Sequence, residues 1–118
     1  MMRALIIVAT SLLAFGCAKG VDDLAKEGSW DQIGYQDGVR GQLSRSYSDL
    51  NKLGEAVHSE YDAGYQRGLI EFCDADFAYQ IGLSGQYYTG ACEGLPEAQR
   101  FRMEWQRGWT DYSQQSGF

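Results

Sequence analysis

From Trp30 onward the apolar positions recur at helical spacing, and glycine takes many of the places where an aliphatic side chain would stand. Trp30, Gly34, Gly38 and Gly41 fall on one stripe at intervals of 4, 4 and 3, which predicts a helix opening at Trp30. Ser29-Trp30-Asp31-Gln32 fits a capping box at its start, with the Ser29 hydroxyl taking the Gln32 N–H. Past Gly41 the stripe moves to Leu43, Tyr47, Leu50 and Gly54, so the helix either runs on to Asn51 with two working faces or bends near Gly41. Residues 54 to 58 read as a connection and Ser59-Glu60-Tyr61-Asp62 as a second cap. Tyr61, Gly64, Tyr65, Gly68, Leu69 and Phe72 then mark an amphipathic helix ending at Cys73. Phe77, Tyr79, Ile81 and Leu83 alternate as a strand would, yet Ala78, Gly82 and Gly85 share a helical stripe, and a short helix agrees better with the neighbouring segments. Residues 86 to 94 read as a loop carrying Cys92. Pro96 suits the first position of a last helix, whose face is Ala98, Phe101, Trp105, Gly108, Trp109 and Tyr112. The pattern therefore predicts one all-α domain of three to four helices over residues 29 to 118.

One short phrase, an aromatic residue, Gln, any residue and Gly, occurs four times, at Tyr35-Gln36-Asp37-Gly38, Tyr65-Gln66-Arg67-Gly68, Tyr79-Gln80-Ile81-Gly82 and Trp105-Gln106-Arg107-Gly108. The offsets between copies are 30, 14 and 26 residues, so the chain lacks the fixed period of a solenoid. The phrase reads instead as a reused packing device. Each helical glycine costs up to about 1 kcal/mol relative to Ala, and close approach of another helix or of aromatic rings to bare backbone is the usual compensation. Gly34, Gly38, Gly41, Gly64, Gly68, Gly82, Gly85 and Gly108 are the expected packing positions. A second use of the phrase is a ligand groove in which Tyr35, Tyr65, Tyr79 and Trp105 lie under a sugar while Gln36, Gln66, Gln80 and Gln106 bond its hydroxyls. Against it stands the plainer arrangement, with the rings in the core and the amides on solvated helix faces.

The first residues follow a different pattern. Arg3 is the only charge before residue 19, and Ala4 to Phe15 is an apolar run broken only by Thr10 and Ser11, ending at Gly16-Cys17. That is the layout of a secretion signal over residues 1 to 16, too short for a permanent span of a hydrocarbon core about 30 Å thick. Leu13-Ala14-Phe15-Gly16-Cys17 resembles the lipobox of bacterial lipoproteins, where cleavage precedes a Cys that carries diacylglycerol; Ala14 and Phe15 depart from its usual residues. The resemblance implies a lipid anchor on Cys17, a tether over residues 17 to 28, and, with Ala18 rather than Asp after the Cys, outer-membrane retention facing the periplasm. Of three cysteines this leaves Cys73 and Cys92 in an oxidising compartment, where a disulfide is expected. Metal ligation by the two thiolates with Asp74 and Asp76 is the rival, although their spacing matches no zinc pattern.

Without Arg3 the mature chain keeps 9 of its 10 Lys and Arg against 16 Asp and Glu, a net charge of −7. Such a surface disfavours nucleic acid and anionic lipid as partners. Candidate chemistry is sparse. His58 is the one histidine and reads as a solvated loop residue. The acid pairs Asp22 with Asp23 and Asp74 with Asp76 read as tether and helix start, whereas glycosidase chemistry needs carboxylates several ångströms apart across a cleft. The glycine-rich phrases lack the strand-turn-helix setting of a phosphate loop. The expectation is a non-enzyme with no cofactor and no metal, whose partner is an envelope protein, with a peptidoglycan-type glycan as the alternative.

Taken together, Trp30, Ile33-Gly34-Tyr35-Gln36-Asp37-Gly38, Tyr61-x3-Tyr65-x2-Gly68-Leu69-x2-Phe72-Cys73 and Gly82-x2-Gly85-x2-Tyr88-x-Gly90-x-Cys92, ahead of an aromatic-rich helix and behind a lipobox, resemble a family of small Gram-negative envelope lipoproteins known as domain of unknown function 2799. The resemblance covers nearly all of the mature chain. Phe72 stands where Tyr is commoner, and no Pro follows Cys92. It implies an envelope lipoprotein and brings no activity, substrate or catalytic residue.

Overall fold

The computed structural model describes residues 20–115; the signal segment, Cys17 and residues 116–118 lie outside them. The described chain is helical throughout its regular parts: α1 (Val21–Lys26), α2 (Trp30–Val39), α3 (Tyr47–Leu53), α4 (His58–Phe72), α5 (Ala75–Leu83) and α6 (Ala98–Gln115). The all-α expectation holds, with the short helices α1 and α3 adding to the three or four anticipated. Residues 75–83 form the helix rather than the strand.

Two helix pairs dominate, α2 with α4 and α5 with α6, and glycine makes both. A Cβ on Gly34 or Gly38 would come within 3.0 Å of the α4 backbone at Tyr61, Tyr65 or Leu69, and one on Gly64 or Gly68 within 3.0 Å of the α2 backbone at Asp31, Tyr35 or Val39. The rungs ascend in the same direction along both helices, so α2 and α4 run parallel, with α3 in the crossover between them. The second pair repeats this with one glycine per helix: Gly82 faces the backbone of Trp105 and Trp109, and Gly108 faces that of Tyr79 and Leu83. Small-residue faces of this kind let backbones meet, and the contact compensates for the helix propensity that glycine forfeits.

Gly41 settles the fate of the first helix. The structure breaks there rather than continuing to Asn51, because Gly41 has φ +71°, a region that suits glycine. Its N–H bonds the Gly38 carbonyl at 3.0 Å and the Gln42 N–H bonds the Asp37 carbonyl at 3.0 Å, the paired bonds of a Schellman cap. Gly85, with φ +84°, follows the end of α5, its N–H bonding the Gly82 carbonyl at 3.0 Å while the Ser84 hydroxyl takes the Ile81 carbonyl at 2.6 Å. Both were expected as packing positions and both are helix stops, with a ring lying against each: Phe72 on Gly41 and Tyr112 on Gly85.

Other termini differ from the sequence reading. Ser29 makes no side-chain cap; its N–H instead bonds the Leu24 carbonyl at 2.9 Å, tying α1 to α2. Helix α4 opens at His58 behind Val57, because one further turn N-terminal to Tyr61 closes by bonds from Glu60 and Tyr61 to the Val57 carbonyl. Helix α6 opens at Ala98, two residues after Pro96. The polar stretch read as tether contains α1, whose Leu24 is 1 % exposed and belongs to the core with Trp30, Ile33, Leu50, Tyr61, Tyr65 and Leu69. That core sits on the α2·α4 pair. A disulfide joins Cys73, at the end of α4, to Cys92, with a Cα–Cα distance of 5.6 Å.

Candidate functional site

The four phrases assort into the two crossings, first with second and third with fourth, and the two crossings are copies. Tyr35 donates its hydroxyl to Glu71 at 2.6 Å while Arg67 lies over its ring at 5.6 Å. Tyr79 donates to Asp111 at 2.5 Å under Arg107 at 4.2 Å. The Tyr65 hydroxyl reaches the Gln42 carbonyl at 2.8 Å, and the Trp105 indole N–H reaches the Gln86 carbonyl at 2.9 Å. In register, Tyr79 stands 44 residues after Tyr35 and Trp105 stands 40 after Tyr65. The repeat was present in the spacings as two tandem units with phrases 30 and 26 residues apart, each unit being a helix, a glycine stop, a crossover and a second helix.

This assortment divides the proposed sugar groove. Tyr35, Gln36, Tyr65 and Gln66 belong to one crossing and Tyr79, Gln80, Trp105 and Gln106 to the other. Tyr65 is buried, its hydroxyl spent on the backbone, and Gln66, Gln80 and Gln106 are exposed on helix faces. Tyr65 and Gln66 do line a groove of about 360 Å³ with Leu43, Leu69 and the 90–95 segment, but the remaining pairs do not join them there.

A second aromatic site lies on the second crossing, on residues that the phrase does not contain. Gly85, Tyr87, Trp109, Tyr112 and Ser113 line a cleft of about 320 Å³. The glycine stop at Gly85 lets the chain turn close under the Tyr112 ring, and Trp109 and Tyr112 follow Trp105 along α6 at intervals that keep them on one face. Their rings touch in series: Trp105 to Trp109 at 5.5 Å, Trp109 to Tyr112 at 5.4 Å, and Tyr87 to Trp109 at 4.8 Å. Tyr87 is 75 % exposed. The sequence signal for this site was the α6 stripe, which read as core because nothing in it told which of its rings would be covered.

Every displaced titration among the described residues belongs to a tyrosine or an arginine and moves up. The bond to Glu71 raises Tyr35 and the bond to Asp111 raises Tyr79, while the bond to Glu104 raises Arg107. Each thus keeps its ordinary protonation at neutral pH, where a working general acid or base would be moved toward 7. Among the described residues no group of three His, Cys, Asp or Glu is placed to hold a metal, and no helix is long and apolar enough to cross a membrane. Asp74 serves as the N-cap of α5, accepting the Asp76 N–H at 3.0 Å, and Asp76 pairs with Arg100. His58 is no free loop residue: it stacks on Tyr47 at 4.0 Å and bonds the Asn51 side chain at 2.9 Å, clipping α3 to the start of α4.

The profile of a family described as "Protein of unknown function (DUF2799)" matches residues 29–110. The uncharacterized protein YfiL of Escherichia coli (strain K12) is 27 % identical over 113 residues, covering 92 % of this chain and 91 % of that one. No solved structure matches.

Proposed function

Since the chain belongs to the DUF2799 family, a family of unknown function, we propose from its own residues that it is a non-catalytic interaction protein of the cell envelope, anchored to the outer membrane through a lipid on Cys17 and facing the periplasm. The observation that carries the interaction reading is the row of Tyr87, Trp109 and Tyr112 along a cleft, since exposed Tyr87 beside two partly exposed rings on a small domain marks a contact surface. Gly16-Cys17 behind the apolar run supports the anchor, and the disulfide suits an oxidising compartment. With α1 opening at Val21, three residues separate it from Cys17, four chain steps with a reach of at most about 14 Å. The domain is thereby held close to its membrane, and its partner is one that meets it there.

Replacing Cys17 with Ser tests the anchor: the protein moves from the membrane pellet to the soluble fraction. An unchanged pellet together with no labelled fatty acid on the wild type overturns it. A photo-crosslinking residue at position 87 tests the interaction in cells, where a discrete adduct removed by protease supports a protein partner. An adduct removed only by muramidase assigns the surface to glycan instead.

A further inference from the structure

We propose that the cleft on the second crossing is a docking groove for an extended segment of a partner protein, one carrying a hydroxyl or amide side chain beside small residues. This rests on the interaction reading above and names the chemistry of what is held. The warrant is inside the molecule, because the same face occurs twice and on its first copy the chain's own segment 86–95 is tied down.

In phrase register Gly85 matches Gly41, Tyr87 matches Leu43 and Trp109 matches Leu69. Tyr112 matches Phe72, and Ser113 matches Cys73. All five residues lining the open cleft thus have a counterpart on the first crossing. Structure fixes this register independently of the numbering: both glycines have positive φ and lie against the matching ring.

On the first crossing the chain's own segment 86–95 lies over part of this face, while Leu43 stays 61 % exposed. Thr89 donates its hydroxyl to the Gly41 carbonyl at 2.6 Å and the Gln86 side-chain amide donates to the Arg40 carbonyl at 3.2 Å. Gly90, Ala91 and Leu95 face Tyr65 and Leu69 across the groove of about 360 Å³, and Cys92 is bonded to Cys73, the counterpart of Ser113. Leu69 and Phe72 are buried, whereas Trp109 and Tyr112 in the same places are partly exposed.

The first copy specifies the occupant. Carbonyls at the end of a helix require donors from outside it, and on α2 a hydroxyl and an amide supply them. Ser84 and Gly85 stand at the same position on α5, so the incoming segment should bring a Ser, Thr, Asn or Gln side chain to them. It should carry small residues beside that side chain, as Gly90 and Ala91 do, so that its backbone can lie close over the rings.

The test uses a synthetic peptide of residues 86–95, with Cys92→Ser, titrated into the isotope-labelled oxidised mature chain carrying Cys17→Ser. Saturable NMR shifts are expected at Gly85, Tyr87, Trp109, Tyr112 and Ser113. A peptide with Thr89→Val should bind roughly five-fold more weakly, the value of one neutral hydrogen bond. Ser113→Arg in the protein should abolish the shifts by occupying the cleft, and Tyr87→Ala should weaken them, so that one misfolded variant does not decide the matter. The proposal fails if no saturable shift appears up to about 5 mM peptide, or if the shifts fall on Leu69 and Phe72. It also fails if a chitin tetrasaccharide moves the cleft residues while the peptide does not, or if concentrating the protein alone produces the same shifts. None of these readouts depends on lipidation or location, so failure here leaves the anchoring experiments to stand or fall separately.

Discussion

Asp37 and Ile81 hold the same place in the two crossings, one residue before the paired glycine, and so do Tyr61 and Phe101 on the facing helices. In the first crossing the pair is polar. Asp37 is 5 % exposed, accepting the Tyr61 hydroxyl at 2.8 Å and the Arg45 Nε–H at 2.8 Å, while the Arg45 N–H donates to the Tyr61 oxygen at 2.9 Å. In the second, Ile81 and Phe101 remove carboxylate and hydroxyl together. The glycine contact survives either choice because it is made by backbone atoms, which are the same whatever side chains flank them. The flanks decide what each crossing becomes: a polar cluster that ties in the chain after Gly41 and makes the α2·α4 pair the centre of the core, or an apolar pair whose outer rings stay open.

The sharpest way to break the comparison is through the glycines. A methyl group on Gly68 would fall within 3.0 Å of the Tyr35 and Val39 backbone, where a flexible side chain cannot yield and a helix must. Gly68→Ala is expected to cost about 3 kcal/mol, the upper end of overpacking. Gly108→Ala meets the Tyr79 and Leu83 backbone in the same way, so a loss within the same range of about 1–3 kcal/mol is expected. Thermal melts decide, and a rise in midpoint for both would mean that the phrase is not a packing device, since an unhindered Gly→Ala change stabilises.

The disulfide staples the covering segment to the first crossing alone. The double replacement Cys73→Ala with Cys92→Ala opens a loop of 19 residues' separation and should cost about 3 kcal/mol on chain-entropy grounds. It should also raise hydrogen exchange at Leu69 before Trp109, making the first crossing resemble the second. Equal exchange in oxidised and substituted proteins would show that the segment holds without its staple.

Copying the second crossing into the first sharpens the polar–apolar contrast. Asp37→Ile alone leaves the buried Tyr61 hydroxyl without its acceptor, at a cost of about 1–3 kcal/mol. Adding Tyr61→Phe removes the stranded donor, so the double variant should lose about 1 kcal/mol less than the sum of the two singles. Strict additivity in denaturant melts would mean that the two groups do not act as a unit.

These residues also show what was legible beforehand. Helix class, the disulfide partners and the glycine positions could be read because spacing and cysteine parity encode them locally. Leu24 was missed because six residues with one apolar stripe give too little periodicity to separate a docked helix from a tether. Ser29 and Val57 were missed because caps compete with bonds that depend on where α1 and α4 sit. The cleft was hidden for a related reason: Leu69 and Trp109 read alike in a helical stripe, and only the path of residues 86–95 decides which of them is covered.

The smallest effect expected is in the pH dependence, and it again separates the crossings, since only the first has a phenol at its centre. Burial pushes the Tyr61 phenol well above its ordinary value, and the bond to the Asp37 carboxylate adds to this, while the Arg45 N–H at its oxygen works the other way. An unfolded tyrosine loses its proton near pH 10, whereas folded Tyr61 keeps it. The folded state therefore binds more protons above that pH, and the stability this confers is complete below about pH 10 and lost as the pH climbs toward the folded value. Tyr61→Phe should lower the melting midpoint at pH 7 yet flatten its fall above pH 10 by one proton's worth of slope. Tyr65, also raised by burial, and Tyr35, Tyr47 and Tyr79, raised chiefly by carboxylate bonds, keep some slope in the variant. Phe101→Tyr, which places a phenol at the matching point of the second crossing, should steepen the fall. If Tyr61→Phe and wild type lose stability in parallel from pH 8 to 11, the Tyr61 proton is not held by the fold, and the polar centre of the first crossing is a packing feature with no electrostatic share.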